Sequence, residues 1–390
     1  MKADETTDHS ANEFTPPPPY TKQEKSSDAN HNTIKPIPEL KGTPSNERIE
    51  WIVILRAFAC MAIIVIHIID CYVAYIQYID FHKYGVVRSV INEIILQPLI
   101  RFAVPCFIMI SGTLLLDPKR NTTINKIIKY IIKIIILFVV LWLGYCFAHD
   151  LTFNSLRNFE NLKKWIYQSF LKFFNGLMQG NLYTFAPWLW YLPMLISLYI
   201  LTPILRKFTE FADRKTARCV LIILFVTTCI IPTINNYFNF EIVPVTELSS
   251  VVFMYLVGYY ITNTDFINSK LIYIGGVVGV IFYLIGCYFG VSHPLDVFMV
   301  LESMMILKVF LSHKIKIKNN SFFNCIAKYS LGIYATNIFW LHVLKVAKIH
   351  FTLLPIFIGE FMVFAFTLVM SLLTSMILYR LPLIKKLFTK

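Results

Sequence analysis

Residues 51–70 read Trp51-Ile-Val-Ile-Leu-Arg56-Ala-Phe-Ala-Cys-Met-Ala-Ile-Ile-Val-Ile-His67-Ile-Ile-Asp70. The stretch is long and apolar enough to cross a bilayer as a helix, yet it contains a guanidinium and an imidazole. Eleven helical steps of about 100° return His67 to within roughly 20° of Arg56, and about 1.5 Å per residue sets the two roughly 16 Å apart. Asp70 follows one turn later on nearly the same face. Because ionisable groups are costly at membrane depth, this alignment predicts a functional site.

The composition of the whole chain indicates an integral membrane protein. Of its 390 residues 56% are apolar and 15% charged, and the mean hydropathy is +0.61. Soluble domains carry about 25% charged residues. The net charge of +13 does not indicate nucleic-acid binding, because the Lys and Arg residues cluster in short loops between apolar segments. We therefore expect the lipid bilayer as a partner and no nucleic acid.

Apolar segments after residue 50 predict an all-α, polytopic membrane protein with about ten transmembrane helices. The predicted spans are 51–77, 89–116, 124–148, 185–206, 216–234, 247–263, 271–289, 293–311, 327–349 and 355–379. The mixed stretch 160–180 predicts an amphipathic helix lying at the membrane interface. Residues 1–48 are rich in Asp, Glu, Asn, Pro, Ser and Thr, which predicts a disordered tail before a transmembrane domain at 49–390.

Loop charges predict the orientation of the chain. One alternating set of loops, together with the C-terminal end, holds about twice as many Lys and Arg residues as the other set. With an even number of spans, the positive-inside rule then places both termini in the cytoplasm of a cell membrane. In this orientation Arg56 lies near the cytoplasmic mouth of the first helix, and His67 and Asp70 lie progressively deeper, toward the outer leaflet.

The first helix offers three candidate site residues, each with a plainer alternative. Arg56 suits an anion clamp, because its planar fork donates two parallel hydrogen bonds to phosphate, but it could also snorkel to the headgroups. His67 is too deep to snorkel and suits a general base, although buried histidines often serve only to hydrogen-bond a neighbour. Asp70 could orient the imidazole of His67 or sit at the outer interface.

Charged residues also occur within two later spans. Arg101 lies half-way through the second span, where an unpaired guanidinium costs about 3 kcal/mol or more. Pro105 frees a backbone carbonyl near Arg101 and bends the helix, while Gly112 allows close helix approach. In the eighth span Glu302 could pair with Lys308, or could be the alternative partner of His67 or Arg101. We take His67, Asp70, Arg101 and Glu302 as catalytic candidates, and Arg56 and Arg101 as cofactor-binding candidates.

Cysteine spacing gives no indication of a metal site or of a redox motif. The eight cysteines are scattered singly at positions 60, 71, 106, 146, 219, 229, 287 and 325, without a CxxC or a His-rich spacing. Most fall within apolar runs, so we interpret them as small buried hydrophobic residues. We predict no metal.

Several short motifs occur along the chain in a definite order. They are Arg56, ten residues and His67; Arg101-Phe-Ala-Val-Pro105-x-Phe107 through Ser111-Gly112; Trp188-Leu-Trp190-Tyr191-Leu192 through Tyr199, Pro203 and Arg206; Tyr255-Leu-Val-Gly258-Tyr259-Tyr260; and Ser330-Leu-Gly332-Ile333-Tyr334. This order resembles the membrane acyltransferase 3 family, which includes bacterial O-acetyltransferases of cell-surface glycans. The resemblance covers about residues 50–380.

The resemblance implies about ten helices, an acyl-CoA donor bound from the cytoplasm, and an acceptor sugar on the outer side. Acetyl-CoA is the expected donor, and a cell-surface or lipid-linked glycan the expected acceptor. Carried over by position, Arg56 and Arg101 would contact the donor or the developing charge, and His67 would serve the acyl transfer. Many members carry His where this chain has Trp188 and Asn337, so no catalytic role is carried over to those two residues.

The leading hypothesis is therefore an integral membrane O-acyltransferase that acts on a glycan hydroxyl. His67 would either deprotonate the acceptor hydroxyl or take the acyl group covalently, and the sequence leaves both routes open. Two alternatives remain. Buried Arg, His and Glu residues also mark the substrate pathways of transporters, here for a glycan or a lipid-linked sugar. The changes at Trp188 and Asn337 are also compatible with a non-catalytic subunit of a glycan-synthesis complex.

Overall fold

The computed structural model describes residues 47–73, 87, 90–120, 122–149, 158–179, 187–238, 247–289, 297–312, 321–349 and 356–380. These ranges are helical with short connections, and no strand occurs among them. The predicted all-α fold is confirmed. Of the tail predicted at residues 1–48, residues 1–46 lie outside the described part of the chain. The first helix begins at Glu47.

Long helices, numbered here in chain order, make up most of the described chain. They are α1 Glu47–His67, α2 Ala103–Leu115, α3 Ile124–His149, α4 Phe159–Gln179, α5 Tyr191–Phe211, α6 Arg214–Phe225, α7 Ile231–Phe238, α8 Glu247–Asn263, α9 Ser269–Tyr288, α10 Val297–Ser312, α11 Ser321–Val346 and α12 Ile356–Leu378. Shorter segments extend or precede them: the π-helical turns Ile68–Val73, Val90–Leu96 and Val226–Ile230, the helix Gln97–Ile100 and the 3₁₀ turn Pro187–Trp190. The amphipathic stretch predicted at 160–180 coincides with α4.

Seven stretches of the described chain are long and apolar enough to cross a bilayer. They are Glu50–Cys71, Val90–Leu115, Ile124–Phe147, Trp188–Phe211, Arg214–Asn235, Ser269–Tyr288 and Ile358–Leu378. The protein is therefore a multi-pass membrane protein, but the predicted number of about ten spans is not established. The other predicted spans coincide with α8, α10 and α11. The first two have 17 and 16 residues, fewer than the roughly 20 that a span needs, and α11 is rich in polar side chains.

Helix α1 is the most buried of the candidate spans. Of its most apolar window 67% is buried inside the protein, compared with 28% for the span in α3 and 39% for Val90–Leu115. It packs against α2, α10, α11 and α12. A helix in this position has to bury apolar side chains on more than one face, and α1 does so.

Two apolar stripes run along α1, and each belongs to a different core. The first stripe, which includes Leu55, Ala59 and Ile66, packs into a core shared with α2, α3, α5, α8 and α10. The second, comprising Ala57, Cys60, Ile64 and Ile68, packs into a core shared with α11 and α12. At about 100° per residue, Arg56 and His67 fall between the two stripes. Both side chains therefore lie along the seam between the two cores.

Small residues bring the helices that pack on α1 close to their neighbours. A Cβ added at Gly112 of α2 would lie 1.9 Å from the carbonyl oxygen of Tyr255 in α8, and one at Gly258 would lie 2.3 Å from that of Met109. Helices α2 and α8 therefore meet backbone to backbone, as small residues permit in membranes. The close approach predicted at Gly112 is confirmed. It fixes the helix that follows Arg101.

We expect Gly112→Ala to destabilise the protein by about 2 kcal/mol or more, because the new methyl group meets a backbone atom that cannot rotate away. Gly144→Ala is the matched control, since nothing lies within 4 Å of a Cβ at Gly144 and alanine favours the helix. Thermal unfolding of the two purified variants in the same detergent measures the difference. Equal midpoints for Gly112→Ala and wild type would show that the close α2–α8 contact does not exist.

Candidate active site

Arg56 is exposed although it lies on the most buried spanning helix. Its chain neighbours Leu55 and Ala57 are both 0% exposed, so the exposure belongs to the Arg56 side chain and not to the surrounding helix. The guanidinium acts electrostatically on Tyr191 and Tyr199 of α5 and on Tyr379 just beyond α12. It therefore lies within electrostatic range of tyrosines from two parts of the chain, α5 and the segment after α12.

Tyrosines connect the surroundings of Arg56 to those of His67. The rings of Tyr191 and Tyr334 lie 5.6 Å apart, and the ring of Tyr334 lies 6.3 Å from the imidazole of His67. We call Tyr191, Tyr199 and Tyr334 the tyrosine wall. Tyr191 and Tyr334 therefore form a chain of aromatic rings from the electrostatic surroundings of Arg56 to the imidazole of His67.

Asn337 of α11 is the hydrogen-bond partner of His67. Nδ1 of His67 lies 2.8 Å from Oδ1 of Asn337, which is fully buried. Nδ2 of Asn337 donates to the backbone carbonyl of Tyr334 at 3.3 Å. The two helices are thereby linked by a side-chain contact between residues 270 positions apart in the chain. The neighbour that the sequence suggested for His67 was Asp70, and the structure gives Asp70 other partners.

Asp70 pairs with Arg101. Nη2 of Arg101 lies 3.3 Å from each carboxylate oxygen of Asp70, and Nε2 of Gln97 donates to Oδ1 at 2.6 Å. The alignment predicted for Asp70 assumed α-helical geometry, which ends at His67, because Ile68–Val73 is π-helical. A wider turn changes the direction of every side chain after His67. The charges of Asp70 and Arg101 remain close enough to act electrostatically on the imidazole.

Arg101 sits at a break in its helix. It follows the short helix Gln97–Ile100 and precedes α2, which begins at Ala103. Pro105 has no N–H to donate to the Arg101 carbonyl, so the interruption occurs where the sequence predicted a bend. Within the described chain Arg101 uses Nη2 for Asp70, which leaves its Nη1 and Nε groups available to a bound molecule.

Glu302 lies apart from these groups. It is 2% exposed on α10, close to Cys106 of α2, and its Oε2 has no hydrogen-bond partner among the described residues. Lys308 is six positions away and therefore on a different face of α10, where Asp265 is a nearby charge. No described contact joins Glu302 to Lys308, His67 or Arg101. The pairings considered for Glu302 from sequence thus find no support in the described contacts.

Three residues of the site were missed as functional candidates in the sequence. Gln97 stands four positions before Arg101, the spacing that places two side chains on one helix face, and this signal could have identified it. Asn337 and Trp188 were noted only as departures from the family pattern. The hydroxyl of Tyr334 donates to the carbonyl of Trp188, and the ring of Tyr145 meets that of Trp188 edge-on at 5.0 Å.

Within the described ranges no three His, Cys, Asp or Glu side chains are grouped as metal ligands would be. What the site does offer is an exposed cation, a hydrogen-bonded imidazole and a carboxylate-held guanidinium beside it. Such a set can bind an anion, accept a proton and stabilise a developing negative charge.

Comparison with known protein families shows where the chain belongs. A family model described as an acyltransferase domain, that of acyltransferase 3, matches residues 49–380. The matched region includes every site residue described above. No curated protein and no solved structure matches the chain.

The pair formed by Asp70 and Arg101 should contribute to stability through direct coupling. We expect Asp70→Asn and Arg101→Gln to be non-additive by about 1 kcal/mol or more in a double-mutant cycle, because each single substitution already removes the same ion pair. The control pair is Glu160 with Lys163, whose side chains are 83% and 58% exposed and should couple by less than about 0.5 kcal/mol. Thermal unfolding of all variants provides the measurement, and strictly additive effects at Asp70 and Arg101 would contradict the pairing.

Proposed function

Because this chain belongs to the acyltransferase 3 family of membrane acyltransferases, we propose that it moves an acyl group from acyl-CoA to a glycan hydroxyl. The proposed donor is acetyl-CoA, and the proposed acceptor is a cell-surface or lipid-linked glycan. One observation carries the proposal. Arg56 and His67 lie on the same helix, the exposed guanidinium of Arg56 acts electrostatically on Tyr191 of the tyrosine wall, and the ring of Tyr334 in that wall lies 6.3 Å from the imidazole of His67.

The donor end of the site is Arg56. Its guanidinium is exposed and belongs to no ion pair among the described residues. It can therefore donate two parallel hydrogen bonds to a phosphate. The excess of Lys and Arg in one set of loops favours a cytoplasmic position for this end, where CoA is available. Eleven helical steps, with ten residues in between, separate Arg56 from His67 by roughly 16 Å, a distance that an extended pantetheine arm can bridge. The thioester would then reach His67 while a phosphate stays at Arg56.

The chemical step requires a base and stabilisation of an oxyanion. The unprotonated nitrogen of His67 takes the proton of the acceptor hydroxyl as that oxygen bonds to the thioester carbon. The carbonyl oxygen becomes an oxyanion, to which free N–H groups of Arg101 can donate. Collapse of the tetrahedral intermediate breaks the carbon–sulfur bond, and the CoA thiolate takes up the proton from the imidazolium. The products are the acylated glycan and free CoA.

In this mechanism Asp70 bonds to Arg101 and makes no described hydrogen bond to the imidazole. Its carboxylate fixes the direction of the guanidinium and balances the positive charge, and Gln97 holds the carboxylate from the other side. A paired guanidinium is less costly inside the membrane than a free one. Glu302 has no step in this mechanism, because no described contact brings it to His67 or Arg101.

His67→Gln should lower kcat by about 100-fold or more, because a glutamine cannot accept the proton. Arg56→Gln should instead raise KM for acetyl-CoA by about 10-fold or more, since a charge-assisted bond to phosphate contributes about 1.5 to 3 kcal/mol. Purified protein with radiolabelled acetyl-CoA and a glycan acceptor gives both values, and Arg214→Gln is the control for loss of an exposed arginine.

Stable acetylation of wild type without an acceptor would favour the covalent route. Glycan movement without consumption of CoA would favour a transporter.

The proposed orientation predicts which surface positions face the cell exterior. In a Cys219→Ser background, which removes an exposed native thiol, we expect Glu160→Cys to react with a membrane-impermeant maleimide on intact cells. Lys207→Cys should react only after permeabilisation. The side chains of Glu160 and Lys207 are 83% and 69% exposed. The side of the membrane on which each position lies, and not its burial, therefore decides whether it reacts with the maleimide. The reverse labelling pattern would place the termini outside.

A further inference from the structure

The hydrogen bond between His67 and Asn337 determines which imidazole nitrogen is the base. An amide has one accepting oxygen and one donating nitrogen, and the two are assigned from their neighbours. Nδ2 of Asn337 is 3.3 Å from the carbonyl oxygen of Tyr334, an atom that can only accept. Turning the amide over would bring two acceptor oxygens together. Oδ1 therefore faces His67 at 2.8 Å.

An accepting oxygen requires a proton on the nitrogen that faces it. Nδ1 of His67 must therefore carry the hydrogen in the neutral imidazole, and Nε2 is left with the free electron pair. Resting on the proposed function, we infer that Asn337 is a positioning residue that holds His67 as the Nδ1–H tautomer and makes Nε2 the base. Asn337 does not itself touch the reacting atoms in this scheme.

The surroundings of Asn337 hold its amide in place. Thr336 donates to the backbone carbonyl of Ser371 in α12 at 3.5 Å, and a Cβ added at Gly332 would meet the side chain of Ser375 in α12 at 2.7 Å. Trp340 donates to the hydroxyl of Thr374, also in α12, at 3.0 Å. These contacts fix α11 against α12 on both sides of Asn337.

Tyr334 fixes the same turn from the other side. Its hydroxyl donates to the carbonyl of Trp188, within the 3₁₀ turn Pro187–Trp190 before α5. Its backbone carbonyl receives the amide of Asn337, so one residue joins the tyrosine wall to the partner of His67. The position of the amide is thus set by three elements, α11, α12 and the turn before α5. A fully buried amide with both ends bonded can impose one tautomer on its neighbour.

Asparagine, aspartate and leucine have side chains of similar size. Comparing them at position 337 therefore distinguishes a positioning role from a packing role. Asparagine and aspartate both present an oxygen to Nδ1, whereas leucine fills the space without an acceptor. In Asn337→Leu we expect kcat to fall by about 10- to 100-fold, because losing the correct tautomer removes part of the rate enhancement that a general base provides. KM for acetyl-CoA should stay unchanged. Asn337→Asp should recover part of that loss, because Nδ1 keeps an acceptor.

A spectroscopic measurement tests the inference independently of turnover. The ¹⁵N shifts of the imidazole distinguish the two neutral tautomers, and His67→Gln identifies the His67 signals among the 9 histidines. We expect protonated Nδ1 and unprotonated Nε2 in wild type, protonated Nδ1 in Asn337→Asp, and loss of that single state in Asn337→Leu. Thermal unfolding midpoints of the three proteins show whether each remains folded.

The outcomes separate this inference from the proposed function. A wild-type Nε2–H tautomer, or an unchanged Nδ1–H signal in Asn337→Leu, would overturn the positioning role even if the enzyme transfers acetyl groups. Unchanged kcat in a folded Asn337→Leu protein would also overturn it. A wild-type protein with the Nδ1–H tautomer and no consumption of any acyl-CoA would refute the proposed function and leave the role of Asn337 in fixing the tautomer intact.

Discussion

The cost of placing a guanidinium and an imidazole on the most buried spanning helix constrains the whole structure. Helix α1 packs against α2, α10, α11 and α12, so rotating these groups toward lipid would take its apolar stripes out of the two cores. The helix also cannot bury them without partners, because an unpaired polar group in a low-dielectric interior costs several kcal/mol. The helix divides its apolar residues into two stripes for two cores, and Arg56 and His67 occupy the seam between them. The site is thus a consequence of how α1 packs.

Charged groups deeper in the site occur where helices depart from regular geometry. Asp70 lies in the π-helical turn Ile68–Val73, and Arg101 lies in the break before α2. Irregular helix within a membrane is tolerated when it is enclosed by protein or lines a cavity, because its free backbone groups still need partners. The two irregular segments bring a carboxylate and a guanidinium together that regular helices would have directed elsewhere. A π-turn directly after the candidate base fits the frequent occurrence of such turns at functional sites.

The sequence predicted those parts of the site that depend on local periodicity. The common face of Arg56 and His67 follows from 3.6 residues per turn, and the close approach at Gly112 follows from its lack of a side chain. The partner of His67 could not be predicted in this way, because Asn337 is 270 positions away and only the packing of α1 against α11 brings it near. The partner of Asp70 was missed because a change from α- to π-helix leaves no clear trace in hydropathy.

The number of spans was difficult to predict for a related reason. Hydropathy identifies helices that contact lipid, whereas α8 is almost entirely buried from Val251 to Thr262 and α11 presents Asn337 and Tyr334 to the site. Helices enclosed by other helices need neither the length nor the apolar surface of a lipid-facing span.

The distribution of charge divides the site into two regions. Among the described residues, the charge of Arg101 is balanced by Asp70, whereas Arg56 takes part in no ion pair. Electrostatic attraction for an anion is therefore strongest at Arg56, and His67 lies beside a pair whose charges largely cancel. A neutral imidazole is easier to maintain next to a cancelled pair than next to a free guanidinium, and the amide of Asn337 adds no charge. In the proposed reaction this arrangement draws the phosphates of the donor to one end and keeps a proton acceptor at the other.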